Sequence, residues 1–223
     1  MAILTISRQI GSVDKEITQS MADRWDYEYI DRQRVLEDMR AHGPQWEEFG
    51  KEFDEQKPSL WERYDRSYTG FVVLSQSIIL NHALKDNVII VGRGGNFLLR
   101  DVPYSLAVRI VAPLAQRLDV IMKRHNLTRS AAELLVSKVD KDMAGAVRLI
   151  YGKDVDDPSA YDLLFDVGVL PIQEVFAAIK TALAKKDSLK TEKAEKELRM
   201  KALAKKVHAG IATHPKLLIP VFE

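Results

Sequence analysis

The sequence predicts an α/β fold, a parallel sheet with helices on both faces. Three largely apolar runs, Ala2 to Ser7, Val88 to Val91 and Ala107 to Val111, read as strands buried on both sides. Helical patterns separate them, as where Ile17, Met21, Ala22 and Trp25 recur at helical spacing. Parallel strands cannot be joined by a tight turn, so this alternation requires crossover helices.

The first strand runs into Arg8-Gln9-Ile10-Gly11-Ser12, a turn, and then the helix of Lys15 to Trp25. Tyr27 to Ile30 is a second short strand ending at Asp31, and Val35 to Met39 continues as a helix that Gly43-Pro44 should stop. Residues 44 to 69, with Trp46, Phe49, Phe53, Pro58, Trp61 and Tyr64 among many charges, have weak periodicity and suggest an inserted helical lobe. Gly70 to Leu84 is an apolar helix, and Gly92-Arg93-Gly94-Gly95 ends the strand that follows it. Ala112-Pro113 stops the next strand before the amphipathic helix of Leu114 to Lys123. Residues 125 to 151 read as two polar helices, Tyr161 to Phe165 as a last strand and Ile172 to Ala184 as the closing helix.

The chain has 223 residues, 46% hydrophobic and 29% charged, enough for one sizeable core with an insertion or tail. With no cysteine there is no disulfide framework, thiolate zinc site or cysteine nucleophile. No stretch reaches the roughly 18 apolar residues that span a bilayer, so a cytoplasmic protein is expected. The five histidines show no metal-ligand spacing, and no metal ligands are assigned. A net charge of +1 offers no overall nucleic-acid signature. Charge is uneven, however: residues 185 to 206 carry nine basic and four acidic side chains. Mixed charges and one remote aromatic, Phe222, argue against nucleic-acid binding by that segment.

Gly11-Ser12 lies where backbone N–H groups and a helix N-terminus can cradle an anion. Framed on Lys15, the full phosphate-loop pattern asks for glycine at Gln9 and Asp14 and a hydroxyl at Glu16, so only the lysine matches. An ordinary strand-to-helix turn stands beside the phosphate reading. Arg93, between glycines at the carboxyl end of a buried strand, is placed to fork a phosphate. Arg117, Lys123, Arg124 and Arg129 fit either a cationic lid over a polyphosphate or a solvated helix face. Of Asp140 and Asp142, two residues apart on a helix, only one should point inward.

The segments ISRQIGS, YIDR at 29 to 32, NVIIVGRGGNFLLRDVP at 87 to 103, VRIVAP at 108 to 113 and YGKDVDDPSAYDLL at 151 to 164 together resemble the cytidylate kinase-like family. The resemblance runs from about residue 1 to 182. It implies a P-loop NTPase-type fold with a parallel five-stranded sheet, a helical insertion, a lid and, beyond it, a C-terminal helical extension. The implied division is a kinase-like domain over 1–184, with an acceptor-binding insertion at 32–86 and a helix and lid region at 114–151, followed by a tail at 185–223.

The implied activity is phosphoryl transfer from ATP, with magnesium, to a nucleoside monophosphate or similar small acceptor. The alternative is a catalytically degenerate relative that binds a nucleotide or phosphorylated ligand as a sensor or interaction protein. ATP phosphates would meet Arg8, Gly11, Ser12, Val13, Asp14, Lys15 and Glu16; the acceptor would meet Asp31, Arg32, Arg93, Gly94 and Asp140; and Lys15, Arg93 and Arg124 would stabilise transferring charge. The sequence departs from the family pattern at several of these places. Asp14 falls where the phosphate lysine stands and Glu16 where the magnesium hydroxyl stands, Gly94 replaces an aspartate, Arg32 a serine, and Met143 a lid arginine. Cytosine selectivity therefore does not carry over.

In the tail, a thin stripe of Leu189, Ala194, Leu198, Leu203 and Val207 predicts a charged helix lying on another surface, broken near Gly210. Leu217 to Phe222 then reads as an edge strand, buried by folding back or by a second copy in a homodimer.

Overall fold

The computed structural model describes residues 1–55, 66–214 and 216–217. Five strands, β1 (Ile3–Arg8), β2 (Glu28–Ile30), β3 (Val88–Val91), β4 (Ser105–Val111) and β5 (Leu163–Asp166), form one sheet in the order β2-β3-β1-β4-β5. The β1/β3, β1/β4 and β4/β5 pairings are parallel, with Ile6 opposite both Val91 and Val108. The predicted parallel five-stranded sheet with helices on both faces is what the chain adopts. On one face Leu4, Ile6, Ile89, Leu106, Val108 and Ile110 pack against Met21 and Ala22 of α1 (Lys15–Trp25) and Val175, Ile179 and Leu183 of α8 (Ile172–Asp187). On the other face the short helix α5 (Gly95–Leu98) lies against β1; a Cβ at Gly95 would come within 2.9 Å of Ile90.

The chain divides into two compact units, residues 1–29 with 87–190 and residues 30–86 with 191–223. Besides α1, α5 and α8, the first contains α6 (Leu114–His125) and α7 (Arg129–Tyr151). These two pair through Leu118 and Ile121 against Ala132 and Val136. The two polar helices expected over 125–151 are one continuous helix. Asn126 in the left-handed conformation ends α6, and the Thr128 side chain caps the next start, so the break falls at 126–128.

The second unit contains α2 (Arg32–Arg40), α3 (Pro44–Glu55), α4 (Arg66–Ala83) and α9 (Glu192–Ala212). Pro44 opens a helix where one was expected to stop, since proline at the first helical position loses no hydrogen bond. Gly50 admits Leu36, and Gly70 admits the buried Trp46 ring; a Cβ at either would meet them at 2.3 and 2.5 Å. The tail helix α9 packs on α4 through Ala194, Leu198, Ala202, Ala209 and Ala212. The expected stripe is therefore split: Ala194 and Leu198 face inward, whereas Leu189, Leu203 and Val207 are exposed. Gly210 does not break the helix, which runs on to Ala212. Of the expected terminal strand, residues 218–222 lie outside the described residues, as do Pro58, Trp61 and Tyr64 of the insertion.

Candidate functional site

Parallel register brings the ends of β1, β3 and β4 level, and the loops leaving them build the candidate site. The loop after β1 is pinned to the end of β4 by backbone and side-chain bonds and is closed on itself by a third. Gln9 N donates to Ile110 O at 3.1 Å, Ala112 N donates to Gln9 Oε1 at 3.3 Å, and the Ser12 hydroxyl donates to Gln9 O at 2.7 Å. Gly11 turns at φ +77°, and a Cβ there would sit 2.8 Å from Arg117 O, so only glycine fits. Arg8 donates to Val13 O at 2.7 Å, bracing the loop from inside.

Asp14 is the N-cap residue of α1, yet its side chain makes no capping bond; it pairs instead with Arg124 in the last turn of α6. Lys15 and Glu16 lie exposed on the first turn of α1. Arg117, assigned to a cationic lid in one reading of the sequence, is 6% exposed. It donates to both oxygens of Asp140 at 2.8 and 3.1 Å and to Ile10 O at 3.4 Å, which makes it a strut between α7 and the first loop. Asp140, expected to meet an acceptor, is the partner of that strut. Arg129 pairs with Glu133 on the exposed start of α7.

The loop after β3 joins β1 through Gly92 N, which donates to Ile6 O at 2.8 Å. Gly92, Arg93 and Gly94 have φ of +74°, +56° and +66°, three successive left-handed residues. At Arg93, the one residue of the three with a Cβ, that conformation costs roughly 1–2 kcal/mol. The Tyr151 hydroxyl donates to Arg93 O at 3.0 Å. Its ring stacks on Phe97 with centroids 5.6 Å apart, and Phe97 meets Tyr161 edge-on.

Beneath these rings lies a residue that the sequence reading passed over. Arg109, 3% exposed on β4, donates to Ser7 Oγ at 2.8 Å and to Asp156 Oδ1 at 2.6 Å, with its guanidinium 5.7 Å from the Tyr161 ring centre. The signal was present, since a lone charge within the apolar VRIV run must find buried partners. Asp31 and Arg32 belong to the second unit, where the Asp31 carboxylate caps α2 by accepting from Arg34 N at 3.1 Å.

Residues 3–169 match the model of the cytidylate kinase-like family. The chain is 23% identical to the cytidylate kinase of Pyrococcus furiosus over 196 residues, 87% of this chain and 95% of that one. It is 28% identical to the cytidylate kinase of Methanosarcina acetivorans over 166 residues, 73% and 86% of the two chains. Among solved structures it resembles an uncharacterized protein from Eubacterium ventriosum, with TM-score 0.65, 16% identity and 82% and 99% of the two chains covered. It also resembles the shikimate kinase of Bacteroides thetaiotaomicron, with TM-score 0.51, 14% identity and 82% and 98% covered. At such identities these structures speak for the fold, a P-loop kinase fold. The family match spans most of the chain, and the chain belongs to the cytidylate kinase-like family.

Proposed function

We propose that the chain is a phosphotransferase that moves the γ-phosphoryl group of ATP to a nucleoside monophosphate or a similar small phosphorylated acceptor. One observation carries the reading: two arginines, Arg8 at the end of β1 and Arg93 in the loop after β3, lie at the same end of adjacent parallel strands. Open α/β sheets bind ligands at that end. Family membership and relatives named cytidylate kinase support it.

The phosphoryl–oxygen bond to ADP breaks as one to an acceptor phosphate oxygen forms, and the protein's part is to position and to neutralise charge. Backbone N–H groups at the start of α1, with Lys15, face the ATP phosphates; Arg93 holds the acceptor phosphate; Arg124 neutralises transferring charge. Magnesium supplies charge neutralisation in kinases of this type. The hydroxyl that would ligate it is replaced here by Glu16, exposed on the first turn of α1, so the residues present do not reproduce that ligand. Cytoplasmic location and a homodimer joined through the C-terminal segment belong to the same reading. Among the described residues no helix is long and apolar enough to cross a membrane.

The Asp14–Arg124 pair favours a second reading, ligand binding without turnover, because a carboxylate already occupies the arginine assigned to transferring charge. Incubation with γ-labelled ATP and a panel of nucleoside monophosphates, alongside melting curves with each ligand, separates the two. Label transfer to one acceptor supports the kinase. Stabilisation without transfer supports the binder, and neither effect rejects both.

A further inference from the structure

We propose that Tyr151 is a positioning residue for Arg93. It would fix the carbonyl and backbone of the arginine loop so that the guanidinium meets the acceptor phosphate, and this rests on the acceptor role given to Arg93 above. Tyr151 is the last residue of α7, and Gly152, left-handed at φ +62°, ends the helix there. Its hydroxyl donates to Arg93 O. Its ring also fills the space that a side chain at position 94 would need: a Cβ on Gly94 would lie 2.1 Å from Tyr151 Cε2 and 2.7 Å from Cζ.

Glycine takes the left-handed conformation freely, but Arg93 between two such glycines bears its cost, which contacts from outside the loop can offset. The Tyr151 ring and hydroxyl do so from one side, and the Gly92–Ile6 bond to β1 does so from the other. The ring itself is held in turn by the stack on Phe97, which meets Tyr161, and by the buried Arg109 under Tyr161. Arg93 is thus aimed by a column of three aromatic rings footed on a buried cation. Helix α7 also carries Asp140, the partner of the Arg117 strut to the first loop, so one rigid rod braces both loops.

The test compares wild type, Tyr151→Phe and Arg93→Ala by titration calorimetry with ATP and with each of the four common ribonucleoside monophosphates. Tyr151→Phe keeps the ring and loses only the hydroxyl bond. The expected result is a monophosphate affinity weaker by about fivefold, the worth of one neutral hydrogen bond, with ATP affinity unchanged. Arg93→Ala should lose the monophosphate outright. A purely structural role for Tyr151 would move both ligands together or neither, and either outcome overturns the inference. If Arg93→Ala loses the monophosphate while Tyr151→Phe binds as wild type does, this inference alone falls. If Arg93→Ala binds monophosphate normally, or wild type binds none, the acceptor role of Arg93 falls and the inference with it.

Discussion

The Asp14 carboxylate and the Arg124 guanidinium are ion-paired, joining the N-cap residue of α1 to the last turn of α6. On the proposed reading the acid competes with a phosphate for Arg124, at a helix N-terminus whose N–H groups it leaves uncapped and which suits an anion. Asp14→Gly removes the resident charge and releases Arg124. It should strengthen ATP binding by at least about fivefold, the scale of one unit charge about 4 Å away screened as in bulk water, about 1 kcal/mol. Titration calorimetry measures this, and unchanged or weaker affinity would count against the phosphate reading of the loop.

Gly92 and Gly94 share a left-handed backbone but not an environment. Nothing lies within 4 Å of a Cβ built on Gly92, whereas one on Gly94 runs into the Tyr151 ring. Gly92→Ala should therefore cost only backbone strain, roughly 1 kcal/mol, while Gly94→Ala must also displace a stacked ring and should cost about 1–3 kcal/mol more. Urea unfolding of both variants checks the difference. Equal costs would show that Tyr151 swings aside freely.

How much of this was legible beforehand follows from the range of the signal. The strands were readable because burial on both faces leaves runs such as VIIV with no polar alternation. The glycines around Arg93 were readable because only special backbone geometry calls for them. The side of α9 that docks was not, because its buried face is mostly alanine, while the larger Leu203 and Val207 that draw the eye face solvent. The site fared likewise. Asp14 with Arg124, and Arg93 with Tyr151, are joined only by tertiary folding, and no local pattern records them.

Arg109 and Asp156 form an unequal pair, the arginine side chain 4% exposed and the aspartate side chain 69% exposed. Removing the aspartate leaves a buried guanidinium without its carboxylate; removing the arginine leaves a carboxylate that water already solvates. Asp156→Ala should therefore destabilise by about 2–4 kcal/mol, and Arg109→Met, which keeps the volume, by clearly less. Denaturation midpoints of the two variants decide this, and the reverse order would refute the account.

Glu47 lies between Arg40, at 2.5 Å, and Lys51, at 2.8 Å, and hydrogen bonds from the two, Arg40's first, lower its pKa from 4.5 to about 2. A depressed carboxylate pKa contributes stability above the unfolded value and loses it as pH falls through the folded one. That contribution should be complete above about pH 5 and disappear toward pH 2. Melting temperatures across this window should fall less steeply in Glu47→Gln than in wild type. Parallel curves would show that the pair adds nothing.

The tail yields the last prediction, because adjacent residues of α9 report on opposite faces. Ala202 is 2% exposed on the side against α4, while Leu203 is 55% exposed. Helix α4 carries buried apolar residues, among them Leu74, Ile78 and Ile79, its Gly70 lies close to Ala212 of α9, and the buried face of α9 is mostly small. Small residues let two helices approach closely, so a charged side chain at 202 can neither fit nor find water. Ala202→Glu should cost more than about 2 kcal/mol by overpacking and an unpaired buried charge, whereas Leu203→Glu should stay within about 0.5 kcal/mol. Each variant is followed by urea unfolding and by binding of an apolar-surface dye. A tail that does not dock in solution would leave both substitutions equally silent. Light scattering of the Leu203→Glu variant adds the oligomeric test: if the exposed ridge pairs with a second copy, its mass should fall relative to wild type.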